Sequence, residues 1–126
     1  MIYNENINEY RVKFYLDLKT KKSPALEYIK DLPEKEEAKV LKYIEFLRIN
    51  EGYLDEPYSK HISGKIRELR IDFDKSHHRI LYFVFIKKTI IILHAFLKKT
   101  AKTPVAELNR AEGNYQEVLK NQTIYE

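Results

Sequence analysis

Residues 10–17 alternate in character: Tyr10, Val12, Phe14 and Leu16 fall on one face, and Arg11, Lys13, Tyr15 and Asp17 on the other. A period of two is the signature of a half-buried strand. Ser23-Pro24 then offers an N-cap and a proline at the first helical position. The short helix they open has Leu26 and Ile29 inward and stops before Pro33. Pro33 starts a second helix, with Glu34, Glu36 and Glu37 at the positive end of its dipole. Ala38, Leu41, Ile44 or Glu45, and Leu47, with Val40 alongside, repeat at three-to-four spacing, and Gly52 suits the stop. The pair predicts an amphipathic hairpin covering one face of a sheet, its acidic outer side poorly suited to a phosphate backbone.

Strand patterning returns at Ile66, where Leu69, Ile71 and Phe73 alternate with Glu68, Arg70 and Asp72. Asp74-Lys75-Ser76-His77 reads as a polar turn, residues 79–86 are almost wholly apolar, Lys87-Lys88-Thr89 turns again, and residues 90–97 are apolar once more. One half-polar and two apolar strands joined by short turns predict an antiparallel three-strand meander with a buried centre. Thr103-Pro104 caps a last helix with Val105, Leu108, Ala111, Tyr115 and Val118 on one stripe, and the tail from Asn121 is expected to fray. Strand, two helices, three strands and a helix make a single α+β domain over residues 1–126.

Composition adds the charge. Of the 126 residues 44% are hydrophobic, enough for a core, and the absence of cysteine excludes disulfide and thiolate chemistry. Met1-Ile2-Tyr3-Asn4-Glu5-Asn6 lacks the basic and apolar regions of a signal peptide, and no apolar run approaches the roughly 18 residues that span a bilayer, so a cytoplasmic protein is expected. Between residues 58 and 103, eleven cations face three anions, a local charge of +8, while the remainder carries 12 cations and 16 anions. All four histidines, His61, His77, His78 and His94, lie in the same stretch. Such asymmetry is the footprint of a polyanion binder, although solvated strand faces also collect lysines.

Nucleotide-binding glycine motifs, zinc signatures and a nucleophile elbow are absent, and four histidines without a carboxylate at ligand spacing make a poor metal site. What remains is a set of cations near strand ends. Arg70 lies on the face opposite Leu69 and Ile71, Arg79 opens the next strand, His94 interrupts an apolar run, and Lys98, Lys99 and Lys102 follow it. RNA cleavage by its own 2′-hydroxyl needs a proton acceptor, a proton donor and cations around the phosphorane. Histidine suits either proton transfer and arginine grips phosphate bidentately. The plainer alternatives are a core histidine, a surface ion pair of Arg70 with Glu68 or Asp72, and solubilising lysines; His77 and His78 read as turn residues.

The segments Ile66-Arg67-Glu68-Leu69-Arg70, Arg79-Ile80-Leu81-Tyr82-Phe83-Val84 and Leu93-His94-Ala95-Phe96-Leu97-Lys98-Lys99-Thr100-Ala101-Lys102-Thr103-Pro104 resemble the RelE/HigB toxins of bacterial toxin–antitoxin pairs, and within them the phage-derived HigB-like branch. The resemblance covers about residues 10–118. It implies a RelE-like fold and a metal-free, cofactor-free mRNA endoribonuclease that works in the ribosomal A site. It also implies a cognate antitoxin, a helix-turn-helix protein, that blocks the basic face. On this resemblance Arg70 and Arg79 bind and stabilise the scissile phosphate, and His94 and Lys98 match positions of acid–base groups. Lys65, Arg67, Lys99 and Lys102 are the accompanying RNA contacts. The Glu-Leu-Arg strand motif is shared with the ParE relatives that poison DNA gyrase, so a gyrase poison and a non-catalytic nucleic-acid-binding module are the alternatives. RelE carries two lysines, two apart, ahead of its arginines; Lys65-Ile66-Arg67-Glu68 does not reproduce them, and Glu68 stands there as either a base or an ion-pair partner.

Overall fold

The two strands with the longest apolar runs, β4 (Ser76–Phe85) and β5 (Thr89–Leu97), lie side by side inside a five-stranded sheet. They belong to a computed structural model that describes residues 9–85 and 87–126. The N-terminal stretch Met1–Asn6 and the end of the apolar run at Ile86 lie outside the described residues. Ahead of them come β1 (Arg11–Phe14), α1 (Pro24–Lys30), α2 (Glu34–Ile49), β2 (Ser59–Ser63) and β3 (Ile66–Phe73); α3 (Val105–Lys120) follows. The sheet order is β1-β5-β4-β3-β2, antiparallel except where β1 runs parallel to β5. The architecture is α+β, but the meander has four strands rather than three, because the polar segment Ser59–Ser63 pairs with β3 as an edge strand.

Each face of the sheet has its own core. On one, Tyr10, Val12 and Phe14 of the β1 region join Leu69, Ile71, Ile80, Ile90 and Ile92 beneath Ala25 and Ile29 of α1 and Val40, Ile44 and Leu47 of α2. The inward stripe of α2 keeps Val40, Ile44 and Leu47 at spacings of four and three, whereas Leu41, expected on it, is exposed. Tyr28 and His78 pin the helices to the sheet, with Tyr28 Oη 2.8 Å from His78 Nδ1 and Glu36 Oε2 3.3 Å from His78 Nε2. Burial, reinforced by Glu36 and Glu107, pushes the Tyr28 phenol up to about 12. His78 is thus a buried strand residue, not a turn residue.

On the other face, Ile66, Leu81, Phe83, Phe85, Ile91 and Leu93 meet Ala111 and Val118 of α3. Val105, expected on the buried stripe, is instead exposed at the helix start. The tail does not fray: Gln122–Tyr125 forms a 3-10 turn, Tyr125 is buried, and its hydroxyl accepts the Leu16 amide at 2.9 Å. A bulge offsets β5 by one residue, since Leu81 pairs with His94 but Tyr82 with Ile92. Leu93 is the extra residue, and beyond it His94 and Phe96 share the α3-side face with Leu81 and Arg79. The end of this face that carries Asp72, His77 and Arg79 forms the wall of a cavity. Among the described residues no helix is long and apolar enough to cross a membrane.

Gly52, just past α2, has φ +87°, and a Cβ there would run into Val84 Cγ2. Its carbonyl accepts the buried Tyr82 hydroxyl at 3.1 Å. Gly52→Ala is therefore expected to destabilise the protein by about 1–3 kcal/mol, read as a lower urea midpoint at unchanged slope; an unmoved midpoint contradicts the strain argument.

Candidate functional site

Strand register arranges the α3-side face of β3, β4 and β5 as a lattice of three rows. Asp72 pairs with His77, Arg70 with Arg79, and Glu68 with Leu81. Across β4 the rows continue to Lys98, whose amide donates to the His77 carbonyl at 2.8 Å, then to Phe96, and to His94. Neighbouring strands are about 4.8 Å apart and alternate residues about 7 Å apart, so the five titratable groups of the first two rows, together with Glu68, occupy one small patch. Two arginines directly opposite each other repel, and the positions persist because anions are interleaved.

Glu68 supplies the central anion. It is fully buried, accepts Arg70 Nε at 3.1 Å and the Thr103 hydroxyl at 2.6 Å, and lies 3.9 Å from Arg79 Nε. Thr103, expected to cap α3, spends its hydroxyl on this carboxylate instead, and Pro104 stands at the cap with no side-chain bond. Asp72 supplies the second anion, with Oδ1 accepting Arg79 Nη1 at 2.8 Å and lying 3.1 Å from His77 Nδ1. Partial burial works to raise the Asp72 carboxyl, but hydrogen bonds from Arg79 and His77 and their charges outweigh it and hold the group below its ordinary value. Arg79 Nε is buried and has no hydrogen-bond partner among the described residues; its nearest anion is Glu68 at 3.9 Å, an ion pair without a hydrogen bond.

The segment 98–103 runs between two cavities, one of about 570 Å³ and one of about 310 Å³. Asp72, His77, Arg79, Lys98 and Lys99 line the larger; Lys60, Arg70, Lys98, Lys102 and Thr103 line the smaller. Lys98 belongs to both. Burial pulls its ammonium below the ordinary lysine value, and Arg79, Arg70 and Lys60 add to that against the opposing pull of Glu68. A lysine so placed gives up a proton more readily than a free one.

Of the residues expected from sequence, Arg70, Arg79, Lys98, Lys99 and Lys102 come together here. His94 lines neither cavity. It is buried, stacks on Phe96 at 5.6 Å, and places Nε2 2.8 Å from Glu107 Oε1 at the start of α3. Lys65 is exposed in the β2–β3 turn, and Arg67 projects to the α2 side, 4.7 Å over the Tyr53 ring with Nε on Ser59 Oγ at 3.2 Å. The reason is parity: Arg67 alternates with Glu68 and so shares the side of Leu69. Sequence reasoning passed over His77, because the polar turn is two residues shorter than expected and β4 already begins at Ser76. It also passed over Thr103 and Glu107, whose partners are distant in the chain.

Residues 27–116 match the family model described as phage derived protein Gp49-like (DUF891). That family is associated with RelE/HigB-type toxins. No curated protein matches the chain at a significant level.

Glu68→Ala leaves the two opposed guanidiniums without their shared buried anion, and the expected loss is about 3 kcal/mol. Urea unfolding at neutral pH checks it, and a loss under about 0.5 kcal/mol, the range of ordinary surface changes, speaks against this role. Asp72 carries a pH signature as well. Because its folded value lies below 3.8, its contribution is present above that pH and disappears as pH falls through the lowered value. Stability curves of the wild type and Asp72→Asn are therefore expected to converge in acid; a constant gap contradicts the pairing.

Proposed function

The chain belongs to the phage-derived Gp49-like family, and on that footing we propose that it is the toxin of a toxin–antitoxin pair and cuts mRNA on the ribosome. The observation that carries the reading is the opposed pair Arg70 and Arg79 with Lys98 between two cavities. A scissile phosphate seated there meets the guanidinium groups of Arg70 and Arg79, which line the two cavities, where negative charge builds in the phosphorane. Lys98, with its lowered proton affinity, is the donor to the leaving 5′ oxygen. Lys99 and Lys102 extend the positive surface along the RNA, one in each cavity.

His94 fits a positioning role in this scheme. Its bond to Glu107 fixes the start of α3, as Thr103 on Glu68 fixes the end of the preceding loop. Both hold Lys98 to Lys102 over the arginine row. The partner is a cognate antitoxin that shields this basic face, which suits an acidic segment laid over the two cavities.

Purified protein added to a translating extract is expected to leave transcripts with new 5′ ends, mapped by primer extension. Arg79→Ala and Lys98→Ala are each expected to reduce cleavage by about 100-fold, the scale of losing one group that stabilises developing charge. Growth arrest with intact transcripts and broken DNA points to a gyrase poison instead and ends the nuclease reading.

A further inference from the structure

The scheme above assigns a proton donor and phosphate ligands but no base. We propose that His77, oriented by Asp72, takes the proton from the attacking 2′-hydroxyl; the inference rests on the nuclease reading. His77 and His94 lie on the same sheet face, on opposite sides of the Arg70–Arg79 row. They differ in access and in partner. The His94 side chain is 11% exposed and spends Nε2 on Glu107, whereas His77 is 48% exposed and lines the larger cavity with Arg79 and Lys98.

Asp72 sets the chemistry of that ring. Its carboxylate lies 3.1 Å from Nδ1 and so holds the proton there, which leaves Nε2 as the unprotonated nitrogen of the neutral imidazole. No hydrogen bond engages Nε2 among the described residues. Asp72 is itself held by Arg79 at 2.8 Å and by Lys39 Nζ on its carbonyl, so the orienting group is anchored from β4 and from α2. The charged groups facing His77 are Asp72 from β3, Lys75 from the turn, Arg79 from β4, and Lys98 and Lys99 from the loop. The backbone bond from the Lys98 amide to the His77 carbonyl makes acceptor and donor cross-strand neighbours on the wall of the larger cavity.

In the step, the 2′-hydroxyl proton passes to His77 Nε2 as the O2′–P bond forms. The P–O5′ bond breaks, and O5′ takes a proton from the Lys98 ammonium. The products are a 2′,3′-cyclic phosphate and a 5′-hydroxyl. His77 has gained one proton and Lys98 has lost one, and exchange with water restores both. Every atom and charge is accounted for by the RNA and these two side chains.

The test is the pH dependence of single-turnover cleavage of mRNA in translating ribosome complexes, for the wild type and for His77→Gln, Asp72→Asn and His94→Gln. Expected are a loss of about 100-fold or more for His77→Gln, with the acidic limb of the profile abolished. Asp72→Asn, which removes the carboxylate that orients the ring, is expected to slow cleavage by about 10-fold or more. His94→Gln is expected to lower the unfolding midpoint yet keep the limb in place. Circular dichroism of His77→Gln, a half-exposed site, checks that the variant is folded. If the wild type cleaves and folded His77→Gln cleaves within about threefold of it with the limb unmoved, His77 is not the base and the nuclease reading stands. If the wild type does not cleave at all, both fall.

Discussion

A single buried carboxylate organises the open end of the sheet. Glu68 touches β3 through Arg70, approaches β4 through Arg79, and holds the loop before α3 through Thr103. A carboxylate taken out of water is costly unless strong donors surround it, and here two guanidiniums and a hydroxyl do so. The dependence is mutual. Without Glu68 the arginines confront each other at a strand pair, and without the arginines Glu68 is an unpaired buried charge. The loop therefore cannot settle independently of the sheet, because its hydroxyl completes the shell of the same anion.

From this core of charge the remaining geometry follows by register. Asp72 repeats the arrangement one row further out, at the rim, where solvent reaches it. The bulge at Leu93 lets His94 turn toward α3 while Ile90 and Ile92 stay in the other core. Glu107 then meets His94, and the first turn of α3 is tied down on the far side of the loop. Segment 98–103 is thus fastened at three places: the Lys98 amide, the Thr103 hydroxyl and, just beyond it, Glu107.

Much of the fold was readable wherever one face of an element is wet. The alternation of residues 10–14 and 66–73 marked Tyr10, Val12 and Phe14 as one strand face and Leu69 and Ile71 as another, and the structure joins the two in one core. β4 and β5 are buried on both faces, so nothing in their composition reports which residue faces which helix, and a one-residue bulge is invisible in a run of isoleucines. β2 escaped because an edge strand of Ser-Lys-His-Ile-Ser has too few apolar positions to alternate. The same physics governs the site. Arg70 was legible as facing away from Leu69, and by that parity Arg67 belongs on the opposite side, a step the charge count alone obscured. Glu107, Thr103 and the Asp72–His77 pair depend on contacts between separate elements, which spacing along the chain does not encode.

The apposition of Arg70 and Arg79 has a consequence for the molecule at rest. Two carboxylates do not neutralise the local set of Lys60, Arg70, Arg79, Lys98, Lys99 and Lys102. The folded chain thus holds a patch of locally frustrated charge that its own sequence leaves unsatisfied. Any anion that fills it relieves the frustration, and so lends the fold stability the isolated chain lacks. Foldedness and occupancy are coupled here: the protein is at its most robust when its working surface is covered, and at its most fragile when that surface is free.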